Sequence, residues 1–401
     1  MKNIAVFTDL LYPIAAANGA CIREVSKVLE GKGYDVHYFC YYPENGTENI
    51  TEKVHYIDPA PFLKGRGATR TIFKKLRSML IIPFYPIGYP EQAFRYKRCF
   101  DEINKVVHFD LIISVLQPVE AAYACCLLRR KQKDIGLVLY ELDSITDTFQ
   151  AAGWRRHLYF LRPLWEKYFY KKIDHVIKLS EHRPFYLQKA YRAFQNKFVY
   201  TGVPSLTRLQ ITDDNAVPDK EGISLIYTGT LRKDFFSPEP ILKMLPHACE
   251  SERMHLSLFA RGDCDQIIRD STAYKQNLIS INGFIPYEMM LKKIQQSDCC
   301  ISIGNRYETL IPSKIFTYMS LGKPIVHFFE SDTDAALKYL NRYEKALLLR
   351  KNDDPLVAAE KFISFIRECK KKPPISYDEI AVRFKENTPE YTANIIEEFF
   401  E

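Results

Sequence analysis

The chain predicts an α/β protein made of two doubly wound parallel sheets with a cleft between them. Three observations carry that prediction. Short apolar runs alternate with helix-like segments through the first 200 residues, Thr207 to Gly222 breaks the pattern, and the alternation then resumes from Ser224. Continuous apolar strands separated by helices belong to a parallel sheet covered on both faces. A length of 401 residues exceeds what one hydrophobic core ordinarily serves, so two domains are expected.

The elements follow in order. Ile4 to Phe7 reads as a short buried strand, Asn18 to Gly33 as a helix stopped by Gly33, and Val36 to Tyr41 as a second strand. Leu111 to Val115, Val138 to Tyr140 and Val176 to Leu179 are later strands of the same half. Thr207 to Gly222 carries Asp213, Asp214, Asn215, Pro218, Asp219 and Lys220, with little to bury, and reads as the linker. Ser224 to Tyr227, His255 to Phe259, Leu278 to Ile281, Cys299 to Ile303 and Pro324 to Phe328 are the strands of the second half. Tyr377 to Glu401 reads as helical and folds back on the first domain. The expected domains are residues 1–205 with a C-terminal helix of about 380–401, and residues 206–379.

Composition excludes several classes. The chain is 47% hydrophobic and 26% charged, an ordinary globular balance rather than a disordered or membrane-spanning one. The net charge of +7 permits an anionic partner without requiring one. The 10 cysteines include Cys125-Cys126 and Cys299-Cys300, both inside apolar runs, so they read as reduced core residues. No paired C-x-x-C spacing calls for zinc. No stretch approaches the ~20 apolar residues of a membrane span, and the N-terminal apolar run is too short for a signal peptide. The expected location is cytoplasmic.

Five places carry candidate chemistry. Pro312-Ser313-Lys314 opens a helix that Gly322 and Pro324 close. A cation in the first turn opposes the helix dipole. It reads either as one half of a phosphate site or as a solvated lysine. The loop after the first strand, through Asn18 and Gly19, lacks the G-x-G-x-x-G pattern. It nonetheless leads into a helix that bears Arg23 one turn on, and reads as an anion cradle or a plain connection. Gly229-Thr230-Leu231-Arg232-Lys233 follows a strand, and reads as a diphosphate clamp or a basic turn. Glu308 precedes the Ser313 helix, where it reads as a sugar-hydroxyl acceptor or a surface glutamate. His182, just past a strand, reads as a cleft residue or a half-buried structural histidine. Asp263-Cys264-Asp265 and Asp332-Thr333-Asp334 read as helix caps, so no metal is expected.

Basic and aromatic residues concentrate in two regions. One runs from Phe62 to Phe100. The other runs from Trp154 to Lys172 and includes Arg155, Arg156, Arg162 and Trp165. Both fit an interfacial membrane contact or ordinary amphipathic helices. No nucleic-acid recognition motif accompanies them.

Taken together, the segments resemble glycosyltransferase family 4, with its two Rossmann-like domains in the GT-B arrangement. The resemblance rests on Tyr227-Thr228-Gly229-Thr230, Asn282-Gly283-Phe284-Ile285-Pro286, Ser297-Asp298-Cys299 and Pro312-Ser313-Lys314 through Gly322-Lys323-Pro324, in that order. It implies a retaining transfer of a sugar from a nucleotide-diphosphate sugar to a saccharide or lipid-linked acceptor in cell-surface polysaccharide synthesis. No cofactor or metal is implied, and a UDP-sugar is the expected donor. By the resemblance, Arg232, Lys314 and Glu308 are the catalytic candidates. Asn18, Gly19, Arg23, Gly229, Thr230, Lys233, Ser313 and Thr317 would bind the donor. Asp143 and His182 would face the acceptor, and an anionic membrane surface is the possible further partner. The family usually carries glutamate where Thr317 stands, for ribose recognition. A sugar-nucleotide epimerase of the same fold, or a scaffold without activity, are the alternatives.

Overall fold

A computed structural model of the chain describes residues 2–9, 11, 17–41, 53–57, 82–146, 157–209, 222–283, 285–305 and 309–400. They form two compact units. Unit 1 comprises Met1–Pro204 with Glu386–Glu401, and unit 2 comprises Ser205–Lys385.

Unit 1 is built on a seven-stranded, all-parallel sheet. Its strands are β1 (Asn3–Phe7), β2 (Asp35–Tyr41), β3 (Val54–Ile57), β4 (Leu111–Val115), β5 (Gly136–Glu141), β6 (His175–Leu179) and β7 (Phe198–Thr201). The order across the sheet is β3-β2-β1-β4-β5-β6-β7. It therefore reverses between β1 and β4, the kind of switch point outside which doubly wound folds place ligands. The strands are apolar on both faces because helices cover both. Ile4 through Phe7 and Leu111 through Ile113 are sealed from solvent.

Unit 2 repeats the plan with six parallel strands. These are β8 (Ile223–Leu231), β9 (Met254–Gly262), β10 (Ile279–Ile281), β11 (Cys299–Ile303), β12 (Ile325–Phe329) and β13 (Ala346–Arg350). The order is β10-β9-β8-β11-β12-β13, with the switch between β8 and β11. Cys299 and Cys300 are buried in β11, and Cys125 and Cys126 in a helix of unit 1. All ten cysteines are free thiols.

The C-terminus departs from a single helix. Ser376 caps a first helix, Tyr377–Arg383, in a capping box with Glu379. Thr388 caps a second, Pro389–Glu398, with Pro389 in its first turn. The second helix belongs to unit 1. Gly202 donates its N–H to the Glu386 carbonyl at 2.9 Å, Lys32 pairs with Glu397, and the rings of Phe399 and His175 stack at 4.2 Å.

Candidate functional site

In unit 2, β8 pairs with β9 along its whole length, from Ile223 to Leu231. With β11 it pairs only at Leu225 and Ile226. The outer end of β8 is thus detached on one side, and its buried backbone needs other partners. Tyr318, on the helix Lys314–Ser320 that follows β11, supplies one. Its hydroxyl accepts from the Thr228 N–H at 3.2 Å and lies 2.8 Å from Thr228 Oγ1. One turn earlier on the same helix, Lys314 lays its ammonium against Gly229. A Cβ built at Gly229 would stand 2.5 Å from Lys314 Nζ, and the residue's φ of +145° is one that side chains rarely adopt. The sequence-predicted Gly229 and Lys314 are therefore brought together.

Burial pushes the Lys314 ammonium down to about 8, with Arg261 nearby as the second cause. Lys314 as a residue remains exposed, while its ammonium is held against Gly229. Arg261 escaped the sequence reading. It sits near the end of β9, in register with Thr230. The segment Ala260-Arg261-Gly262 has the look of a turn, and only pairing with the extended β8 makes it strand. Its signal is the cation itself, at the carboxyl end of a strand beside the switch point.

The helix that bears Lys314 ends as its glycine predicts. Gly322, at φ +62°, donates to the Met319 carbonyl at 2.8 Å, and Lys323 donates to the Tyr318 carbonyl at 3.1 Å. That is a Schellman closure. Ser313 stands at the helix start, with helical backbone angles and no side-chain cap. Thr317 is half-buried on this helix. Glu308 lies outside the described residues.

Arg232 and Lys233 both lie near Asp263 but differ in their other neighbours. The Arg232 guanidinium lies 5.4 Å from the Phe235 ring centre. Lys233 donates its backbone N–H to Asp263 at 2.9 Å. Its side chain lines a recess with Lys243, Glu330 and Lys351 that includes neither Gly229 nor Lys314. Asp263 is thus not a helix cap. Its bond from Lys233 holds its carboxyl below the ordinary carboxylate range. Asp332 is not a cap either, since it pairs with Arg350. Asp334 accepts from the Ala336 N–H at 2.9 Å and faces His327 Nε2 at 3.4 Å. Among the described residues, no three His, Cys, Asp or Glu side chains are grouped to hold a metal ion.

In unit 1, the ends of β1, β5 and β6 bring three predicted residues together. Asp143 lies two residues past β5, His182 three past β6, and Asn18 at the start of the helix Ala17–Gly31 that follows β1. Burial raises the Asp143 carboxyl above its ordinary value, while His182 and a hydrogen bond from Asn18 oppose the rise. His182 is sealed from solvent, as is the Gly19 backbone. Arg23 Nε lies 3.6 Å from Glu24 Oε1.

No family model and no curated protein matches the chain. Solved structures do. Sucrose-phosphate synthase from Thermosynechococcus elongatus superposes with a TM-score of 0.65 at 13% identity, over 100% of this chain and 98% of that one. A glycosyltransferase from Rickettsia africae ESF-5 gives 0.61 at 12%, over 100% and 97%. UDP-GlcNAc 2-epimerase from Methanocaldococcus jannaschii gives 0.58 at 10%, over 98% and 99%. Identities this low establish the fold: the chain has the GT-B fold of two Rossmann-like units, shared by sugar transferases and by a sugar-nucleotide epimerase. Among the described residues no helix is long and apolar enough to cross a membrane.

Proposed function

We propose that the chain is a glycosyltransferase, of the retaining family it resembles, that takes its sugar from a nucleotide-diphosphate donor held in unit 2. The observation that carries the reading is the Lys314 ammonium seated on Gly229 beside the β8/β11 switch point, with Arg261 close by. A cation held partly out of water is costly when alone and is relieved by an anion. A diphosphate that gains charge as its sugar departs is such an anion. Lys314, Arg261 and Arg232 would offset that charge without a metal, with Glu308 toward the transferred sugar. Gly229, Thr230, Ser313 and Thr317 would complete the donor site. Asp143 and His182 would orient the acceptor.

A saccharide or lipid-linked acceptor, in cell-surface polysaccharide synthesis at the inner face of the membrane, fits one surface feature. Phe160 and Leu164, four residues apart, are 63% and 58% exposed on a segment that also carries Lys167 and Lys171. Apolar and basic side chains so arranged suit an anionic lipid interface. Co-sedimentation with anionic vesicles should fall with salt and with Phe160→Ser/Leu164→Ser.

The fold shared with an epimerase supports the second reading. A panel of UDP-, GDP- and dTDP-sugars, followed by mass spectrometry and NMR, separates the two. A transferase releases nucleoside diphosphate faster once acceptor extract is added. An epimerase converts the donor to its isomer with no acceptor. Failure of every donor to bind or react would sink both.

A further inference from the structure

We propose that Glu166 is a positioning residue, whose carboxylate ties the loop bearing Asp143 to the segment bearing His182 and so sets the geometry of that pair. Its effect on turnover rests on the reading of Asp143 and His182 as acceptor-side groups, whereas its effect on the loop does not.

Glu166 lies on the helix Leu161–Lys172 and is fully buried. Its Oε1 accepts from the Thr146 N–H at 3.2 Å, from Ser144 Oγ at 3.3 Å and from the Tyr186 hydroxyl at 2.7 Å. Its Oε2 accepts from the Tyr191 hydroxyl at 2.9 Å. Ser144 Oγ and the Tyr186 hydroxyl also meet at 2.5 Å. Ser144 is the residue after Asp143, and Tyr186 ends the single helical turn that His182 opens. One carboxylate thus bridges the two segments. Arg162, one turn earlier on the same helix, donates from Nη1 to the Ile145 carbonyl at 3.0 Å. The helix therefore grips residues 144, 145 and 146 in succession.

A buried carboxylate is expensive, and hydrogen bonds of this number are what make it tolerable. An apolar side chain would fill the same space at lower cost. What the carboxylate adds is direction, because its oxygens accept only along defined lines. A tilt of the loop would move Asp143 relative to His182 and to Asn18, the two groups that oppose the effect of burial on its carboxyl.

The test uses the full chain and three variants. Glu166→Gln keeps an oxygen for Thr146 and Tyr186 and an amide donor for Tyr191. Glu166→Ala keeps neither. Tyr186→Phe removes one hydroxyl and leaves the ring, which guards against an unfolded Glu166→Ala. Amide exchange is read for residues 143–146 and for the β1 strand as internal reference. We expect about tenfold faster exchange at 143–146 in Tyr186→Phe and Glu166→Ala, the factor one hydrogen bond carries, with β1 unchanged and Glu166→Gln close to wild type. Unchanged exchange at 143–146, or an equal rise across unit 1, overturns the proposal. Sugar transfer is then measured alongside UDP affinity. A loosened loop with lower kcat and unaltered UDP affinity supports both the proposal and the acceptor-side reading. A loosened loop with full kcat leaves Glu166 in its positioning role and removes Asp143 and His182 from the acceptor site.

Discussion

The ammonium of Lys314 occupies the space in front of Gly229 where another residue would carry its Cβ, which would stand 2.5 Å away. The first strand of unit 2 and the helix after its fourth strand thereby meet at one point. The glycine is what allows the cation to settle on backbone, and the cation is what makes that backbone attractive to an anion.

Gly229→Ala should therefore act on both. Lys314 is flexible at its end and can move aside, so crowding costs little. The φ of +145° costs of order 1–3 kcal/mol for a side chain. We expect a lower melting temperature and, from the displaced ammonium, about tenfold weaker UDP binding, the equivalent of ~1.4 kcal/mol. Scanning and titration calorimetry check the two effects separately.

Lys314 also predicts opposite pH trends for stability and binding. Its ammonium is lowered to about 8 by burial first and Arg261 second, while the unfolded chain holds the proton to about 10.5. Between these values the unfolded state binds more protons, so stability rises with pH. Below pH 8 the charged, partly desolvated ammonium is a liability. Lys314→Met should therefore raise the melting temperature at pH 7, and its advantage should shrink towards pH 10. Diphosphate binding needs the charge and should decline above pH 8 in the wild type, but not in Lys314→Met.

His55 gives unit 1 an acid limit. Burial first, and then His37, pushes its imidazole down to about 4 from the ordinary 6.5. His37 Nδ1 lies 3.0 Å from His55 Nε2, and the rings stack at 5.3 Å. The unfolded state takes up a proton that the folded state refuses, so stability present above pH 6.5 is lost as pH falls towards 4. Urea denaturation at pH 7, 5.5 and 4.5 should show this loss. It should be smaller in His55→Phe, which keeps a ring but cannot titrate.

Tyr318→Phe removes the hydroxyl that satisfies Thr228. Both residues are buried, and an orphaned buried N–H costs about 1–3 kcal/mol. We expect a loss in that range by chemical denaturation. A variant as stable as wild type would mean that the detached end of β8 has another partner.

Much of the fold was legible because parallel strands sealed on both faces leave unbroken apolar runs, as in Ile4 to Phe7 and Cys299 to Ile303. Gly322 was legible as a helix stop because a left-handed closure favours glycine. Arg261 was hidden because polar residues at a strand end look like a turn until the neighbouring strand is known. The break before Pro389 was readable in Thr388-Pro389-Glu390, a cap followed by a first-turn proline, yet the surrounding helix-forming residues masked it. Asp263 illustrates the limit of local rules: it lies beside a helix start, but its partner is Lys233, thirty residues away in sequence. Glu166 had no signal, since a glutamate on a basic aromatic helix reads as surface until the fold buries it.

The central claim is that unit 2 grips a diphosphate through Lys314. Titration of UDP, GDP and dTDP into the full chain at pH 7 tests it most directly, with Lys314→Ala in parallel. At least one nucleotide should bind the wild type, and the variant should bind it tenfold or more weakly, the scale of a charge-assisted contact of about 1.4 kcal/mol or more. Equal affinity in both proteins, or no binding to the wild type at all, would contradict the account.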